Sequence, residues 1–72
     1  MKRSVWYEAS CQEGVHWMDR IACGLVEKRG YDPLWLSVFF DIAPSEARAM
    51  HARVSRLCEA ARERLLLEEV GA

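Results

Sequence analysis

The last third of the chain has hydrophobic residues at the spacing of an α-helix. Between Pro44 and Val70 there is no glycine and no second proline, and Ala, Arg, Leu and Glu predominate. These residues have high helix propensity, so we predict one long helix over 44–69. Its apolar positions fall three and four residues apart on one face: Ala47, Met50, Val54, Leu57, Cys58, Ala61 and Leu65.

A shorter helix is predicted over 33–41. Asp32 and Pro33 are a typical helix start, with Asp as the N-cap and Pro in the first turn. The segment 34–40 is apolar at every position except Ser37. A buried β-strand is the alternative interpretation, but the chain offers no second strand to pair with it. Because such a helix has no polar face, we expect it to be buried on every side.

The first helix is predicted over 11–29. Ser10 and Glu13 have the spacing of a capping box, and Gly30 suits the left-handed position that follows a helix. Residues 1–9 show no helical periodicity, so we expect an extended arm that packs its aromatic rings on the helices. Apolar residues form one face of the helix: Val15, Met18, Ile21, Ala22, Leu25 and Val26. The other side carries polar residues and one thiol: Gln12, His16, Asp19, Arg20, Cys23 and Glu27.

Together these elements predict an all-α fold, a single domain over 1–72 in which two shorter helices pack on a long C-terminal helix. A helix of about 26 residues is ~39 Å long, whereas a compact domain of this size has a diameter of about 29 Å. The surplus contains Leu65, Leu66 and Leu67, which point in three directions and cannot all face one domain. We therefore expect a helical homodimer that covers them.

Composition argues against several classes of protein. The formal net charge is −1, so the basic excess of a dedicated nucleic-acid-binding protein is missing. Three cysteines without a dense spacing do not make a disulfide scaffold, and they favour a reducing, cytoplasmic setting. No apolar run approaches the ~18 residues of a membrane span, and no apolar core of a signal peptide follows the first charged residues. We expect no membrane partner.

Catalytic motifs are missing from the sequence. It contains no GxxxxGK[ST], GxGxxG or GxSxG, so we expect neither an enzyme nor a bound cofactor. His16, Asp19 and Cys23 share one side of the first predicted helix, but they spread over two turns. A tetrahedral metal site needs ligands closer together, so we predict no metal. Arg20 precedes Cys23 by one turn, which makes Cys23 the thiol that we expect to react most readily.

DNA binding is the alternative function. The segment FFDIAPSEARAMHARVSRL resembles bacterial helix-turn-helix segments, and the whole unit would occupy residues 34–57. The resemblance implies that Arg48, Arg53 and Arg56 would contact phosphates or base edges. Asp41 and Glu46 lie where phosphates would pass, and the charge balance supplies no electrostatic attraction.

Protein binding is the function that the pattern favours. Small residues on the long helix alternate with arginines, which allows close helix approach and planar polar contacts. We therefore predict a small regulator, an inhibitor, antiactivator or adaptor, whose protein partner could be a transcriptional regulator. Candidate partner-binding or dimer-interface residues are aromatic, arginine and apolar residues of the last two helices: Trp35, Phe39, Met50, Arg53, Val54, Arg56, Leu57, Arg64, Leu66 and Leu67.

Overall fold

The computed structural model describes residues 4–71. Within this range the chain forms four α-helices and no strand: α1 Val5–Ser10, α2 Trp17–Glu27, α3 Pro33–Phe40 and α4 Pro44–Gly71. The prediction of an all-α fold built on a long C-terminal helix is confirmed. Three shorter helices pack on α4, one more than the sequence indicated.

Helix α4 sets the shape of the molecule. Its 28 residues correspond to about 42 Å, and the whole body measures 43 × 23 × 16 Å. The predicted apolar face is confirmed, since Leu57 and Leu65 are half-buried and five residues are buried. These five form what we call the core face of α4: Ala47, Met50, Val54, Cys58 and Ala61.

The segment before α2 differs from the prediction. Ser10 belongs to α1, where its hydroxyl donates to the Tyr7 carbonyl at 2.9 Å, so the predicted capping box does not form. The chain then turns through Gly14 at φ +82°, and α2 starts only at Trp17. His16 is the actual N-cap, because its Nδ1 accepts a hydrogen bond from the Met18 N–H at 3.2 Å. At the other end Gly30 is left-handed at φ +70°, as predicted.

The N-terminal segment is helical rather than extended. Helix α1 packs against both α2 and α4 and buries Glu8 and Ala9. Trp6 lies over Gly24 of α2, whereas Tyr7 is half exposed. The prediction of an extended arm is therefore wrong for residues 4–9, and residues 1–3 of that arm lie outside the described part of the chain. A helix of six residues is too short to be stable alone, so tertiary packing decides its conformation.

Helix α2 crosses the core face of α4 obliquely while running in the same direction. Near its start Asp19 accepts two hydrogen bonds from Arg53, Nε to Oδ2 at 3.0 Å and Nη2 to Oδ1 at 3.2 Å. Near its end Glu27 accepts from Arg62. The two arginines are nine residues apart, which places them on opposite sides of α4 at 100° per residue. The ion pairs therefore hold the two ends of the crossing.

The buried side of α2 is rotated from the predicted one. Asp19 and Cys23 were expected to face solvent, but both are buried, while Ile21 is 45% exposed. Arg53 makes the burial of Asp19 favourable, because it supplies a two-point, charge-assisted hydrogen bond. Cys23 packs as a small hydrophobic side chain.

Local signals define both ends of α3. The Asp32 Oδ1 accepts from the Trp35 N–H at 3.0 Å, as the predicted N-cap should. The helix ends where Asp41 adopts the left-handed conformation at φ 55°, and the Ile42 N–H then donates to the Ser37 carbonyl at 3.1 Å. This turn reverses the chain into Pro44.

The prediction that α3 is buried on every side is wrong. Leu36 is its one fully buried residue, and four of its large apolar side chains are more than half exposed. The physical reason is that α3 packs mainly on α4, which covers only one side of it. No helix within residues 4–71 is long and apolar enough to cross a membrane.

Candidate protein-binding surfaces

The outer side of α3 is an apolar surface. Four side chains form it, and we call them the α3 face: Leu34 at 69% exposure, Trp35 at 58%, Val38 at 66% and Phe39 at 53%. Together they present on the order of 500 Å² of apolar surface, which is as large as the largest patch on a typical monomer. Patches of this size commonly mark binding sites.

The rings of the α3 face are held by their neighbours. Tyr31 contacts Trp35 with 5.9 Å between ring centroids, and it meets Phe39 edge-on at 6.3 Å. Phe39 also packs edge-on against the half-buried Phe40 at 4.9 Å. These contacts restrict the rotamers of the exposed rings before any partner arrives. Less side-chain entropy is then lost on binding, which raises affinity.

The side of α4 opposite its core face is also open. At 100° per residue, a row of exposed residues shares this side, which we call the outer face of α4. Its N-terminal end carries the small residues Ala49 and Ala52, whereas Leu66, Leu67 and Val70 at its other end are 60%, 69% and 78% exposed. The full row is Ala49, Ala52, Arg56, Glu59, Ala60, Glu63, Leu66, Leu67 and Val70.

A groove separates α4 from the segment that leads into α2. His16, Asp19 and Arg53 line its middle, and Arg56 and Leu57 continue it toward the C-terminal half of α4. Both hydrogen-bonding edges of the Asp19 carboxylate are engaged by Arg53. The Asp19 side chain is only 10% exposed, so the carboxylate in the middle of the groove is paired with Arg53 and largely shielded from solvent.

Burial disfavours the reactive thiolate form of two of the three cysteines. Cys23 and Cys58 lie where α2 crosses α4, between the two ion pairs. Burial, followed by the neighbouring Cys58, raises the pKa of Cys23 to about 12. Burial and then Glu27 raise the pKa of Cys58. The prediction that Cys23 is the most reactive thiol is therefore wrong, because Cys11 is the exposed one.

The residues that could have bound a metal are dispersed or already engaged. His16 caps α2 and Asp19 binds Arg53, so both side chains are engaged in other contacts. Among residues 4–71 no group of three or more His, Cys, Asp or Glu side chains is arranged to hold a metal ion.

The ten predicted interface residues fall in three places. Trp35 and Phe39 lie together on the α3 face, with their rings in contact through Tyr31. Met50 and Val54 belong to the core of the single chain, at 3% and 0% exposure, so their side chains do not reach the surface.

The remaining predicted residues lie along α4. Arg56, Leu66 and Leu67 are on its outer face, and Leu57 is half-buried beside the groove. Arg53 and Arg64 are engaged within the chain. Arg53 binds Asp19, and the Arg64 Nε lies 3.7 Å from the Glu8 Oε1.

Three exposed apolar residues that extend the α3 face and the outer face of α4 were not among the predicted ones. Leu34 and Val38 complete the α3 face, and Val70 extends the outer face of α4. The signal for Leu34 and Val38 was present, because α3 is apolar on all sides in a chain with few elements to cover it. The prediction of burial on every side left Leu34 and Val38 out of the contact surface, although Trp35 and Phe39 of the same helix belong to it.

No protein family, curated protein or solved structure shows significant similarity to this chain. The surfaces described above are therefore the basis for assigning a function.

Proposed function

We propose that this chain is a small regulatory protein–protein interaction module that binds its partner through the α3 face. The observation that carries the proposal is the exposure of Leu34, Trp35, Val38 and Phe39 on one side of a short, well-capped helix. Aromatic side chains at fixed positions dominate the energy of protein interfaces. No catalytic group takes part in this function.

The chemistry of the α3 face specifies the kind of partner. Its four side chains sit at helical spacing on a convex ridge, so they fit an apolar groove of the partner in the manner of a helix-in-groove contact. Asp32 and Asp41 lie exposed at the two ends of α3. A groove with a rim of Lys or Arg side chains would complement these carboxylates. By filling such a groove, the module would act as an inhibitor, antiactivator or adaptor of the partner.

The first experiment places a photo-cross-linking amino acid at position 38 in the cells from which the chain comes. The matched control carries the same group at position 48, since Arg48 is exposed on a different helix. We expect a protein to be captured from position 38 and not from position 48.

The captured protein is then purified and titrated with wild-type protein and with the double variant W35S/F39S. The proposal requires the variant to lose at least about tenfold in affinity, and the loss should persist at high salt because the contact is apolar. Equal affinity of the two proteins, or equal capture from both positions, would overturn it.

A DNA-binding helix-turn-helix is the second candidate. The observation that favours it is the three-residue turn between α3 and α4, residues 41–43, which joins two packed helices. Arg48 and Arg56 are exposed, and no ion pair engages them within residues 4–71. Against it, Arg53, Arg62 and Arg64 are all bound to carboxylates of the same chain.

Titration of duplex DNA across a range of salt concentrations separates the two candidates. Phosphate contacts give an affinity that falls steeply with salt. Salt-dependent binding of duplex DNA that is also weakened by replacing Arg48 and Arg56 would favour the helix-turn-helix function. We expect no such binding.

We place this function in the cytoplasm. The support is that none of the three cysteines forms a disulfide: Cys11 is exposed as a free thiol, and Cys23 and Cys58 are free and buried. Free thiols are typical of proteins in reducing compartments.

A further inference from the structure

The two ends of the outer face of α4 differ in the size of their apolar side chains. Its N-terminal half carries Ala49 and Ala52, and its C-terminal half carries Leu67 and Val70. Exposed residues continue along this side from 49 to 70, over about three heptads, which is long enough for contact with a second helix. The residues of this row are exposed, so no other helix within residues 4–71 covers this side of α4.

The difference in side-chain size between the two ends of this face indicates that a second copy of α4 can pack against it. Two copies of α4 can lie antiparallel in the register in which the numbers of any two facing residues add up to 119. Val70 of each copy then meets Ala49 of the other. In the same register Leu67 meets Ala52. Each large side chain is then placed over a small one, as knobs-into-holes packing requires. A parallel pair would instead place Leu67 against Leu67 and leave a gap between the alanines.

The charges at positions 56 and 63 favour the same arrangement, whereas the two Glu59 carboxylates near its centre oppose it. Arg56 and Glu63 are exposed, and neither has a hydrogen bond or ion pair within residues 4–71. In the antiparallel register the numbers 56 and 63 also add to 119, so each Arg56 meets a Glu63 of the other copy. A parallel pair would bring Arg56 against Arg56 and Glu63 against Glu63, which is unfavourable.

We therefore propose that the protein forms an antiparallel homodimer through the outer face of α4, with its two-fold axis between Glu59 and Ala60. One self-complementary surface on each copy is what a closed two-fold dimer needs. The contact covers 22 residues of each helix, about 33 Å. It buries roughly 600 Å² per chain, at the lower end for specific interfaces, so a dissociation constant in the micromolar range is expected. The α3 face takes no part in it.

Charge exchange tests the register, with dimerisation measured by sedimentation equilibrium. R56E and E63R alone each place like charges in contact twice per dimer, so each variant should self-associate roughly tenfold more weakly than wild type. An equimolar mixture of the two variants should recover a dimer, because both contacts are then between opposite charges. Circular dichroism confirms that each variant is folded. Wild-type protein that remains monomeric at about 1 mM, or a mixture no stronger than its components, would overturn the proposal.

Cysteine cross-linking tests the direction of the helices, in a C11S background that removes the exposed native thiol. A60C lies beside the two-fold axis and should give a disulfide-linked dimer on mild oxidation, whereas A49C should not. Cross-linking of both variants would indicate a parallel pair and overturn the proposal.

The variant W35S/F39S separates this inference from the proposed function. It should dimerise like wild type although it is expected to lose partner binding. If it fails to dimerise, the α3 face is the dimer contact, and the α4 interface is wrong.

Discussion

The α2–α4 crossing and the α3 face use hydrophobic residues in opposite ways. At the crossing, Cys23 and Cys58 are fully enclosed, and an ion pair closes each end. On α3, which is more apolar than α2, Leu34 and Val38 are about two-thirds exposed. Charged residues therefore border the buried contact, and large apolar residues lie at the open one.

This difference shows that burial follows from the available neighbours as well as from side-chain type. Asp19 is buried because Arg53 reaches it from α4. Leu34 is exposed because α4 covers only the side of α3 that carries Leu36. A chain of 72 residues has too few elements to cover every apolar face. The face that remains open is then available for binding.

The largest effect on stability should come from replacing a leucine with alanine, and it should depend on which side of α3 the leucine occupies. Leu36 has no exposed surface, so Leu36→Ala should lower the free energy of unfolding by about 2–5 kcal/mol. Leu34→Ala removes the same atoms from a side chain that is 69% exposed, and it should change stability by less than about 0.5 kcal/mol. Urea denaturation of both variants measures the difference. Equal losses would mean that the α3 face is covered.

A smaller effect is expected from Asp19→Asn, which removes the charge that binds Arg53. Stability should fall by about 1–2 kcal/mol, less than for a fully buried pair because half of the Arg53 side chain is in solvent. Glu13→Gln is the matched control, since Glu13 is exposed. Comparison of the urea midpoints at neutral pH provides the measurement, and identical behaviour of the two variants would contradict an ion pair that stabilises the crossing.

High pH should weaken the crossing through its thiols. The pKa of Cys23 is about 12 in the folded chain, against 9.0 for an unperturbed thiol. Well below pH 9 the Cys23 thiol is protonated in both the folded and the unfolded chain, so it contributes no pH dependence to the free energy of unfolding. As the pH rises from 9 toward 12, the unfolded chain releases the proton first and stability falls. A urea midpoint that declines above pH 9 would agree with this expectation, and Cys23→Ala should reduce the slope.

Thiol labelling gives an independent check of the same burial. DTNB should react quickly with Cys11 in the folded protein and with Cys23 and Cys58 only after denaturant is added. Rapid reaction of all three thiols without denaturant would show that the crossing opens readily.

The smallest effect should be a gain in stability, from Gly24→Ala in α2. The added Cβ would lie 3.7 Å from the Trp6 Cε3, an ordinary van der Waals distance, so the side chain fits. Alanine in a helix interior should then raise the free energy of unfolding by up to about 1 kcal/mol. Thermal unfolding measures the change. A loss of stability would mean that α1 and α2 pack more tightly than the contact with Trp6 indicates.

Features encoded by local sequence could be predicted. The start of α3 at Pro33 and of α4 at Pro44 followed from proline and capping chemistry, and the core face of α4 followed from spacing. The left-handed Gly30 was predictable for the same reason, because few other residues adopt that conformation without strain.

Features that depend on distant neighbours could not be predicted. Ser10 and Glu13 have the spacing of a capping box, but the turn at Gly14 moves the start of α2 to Trp17. The inward position of Asp19 depends on Arg53, which is 34 residues away in the chain. For the candidate site, Trp35 and Phe39 could be selected by type, but their exposure depends on how little of α3 the other helices cover.

The position of α3 along α4 has a consequence for valency. Helix α3 is about 12 Å long and is joined to Pro44 by a tight turn, so it stays near the N-terminal end of α4. In the proposed antiparallel dimer the two N-terminal ends point away from each other, which places the two α3 faces about 35 Å apart. A two-fold symmetric target could engage both at once, and the second contact would form at a high effective concentration. Weak individual contacts would then add up to tight and selective capture of paired targets over single ones.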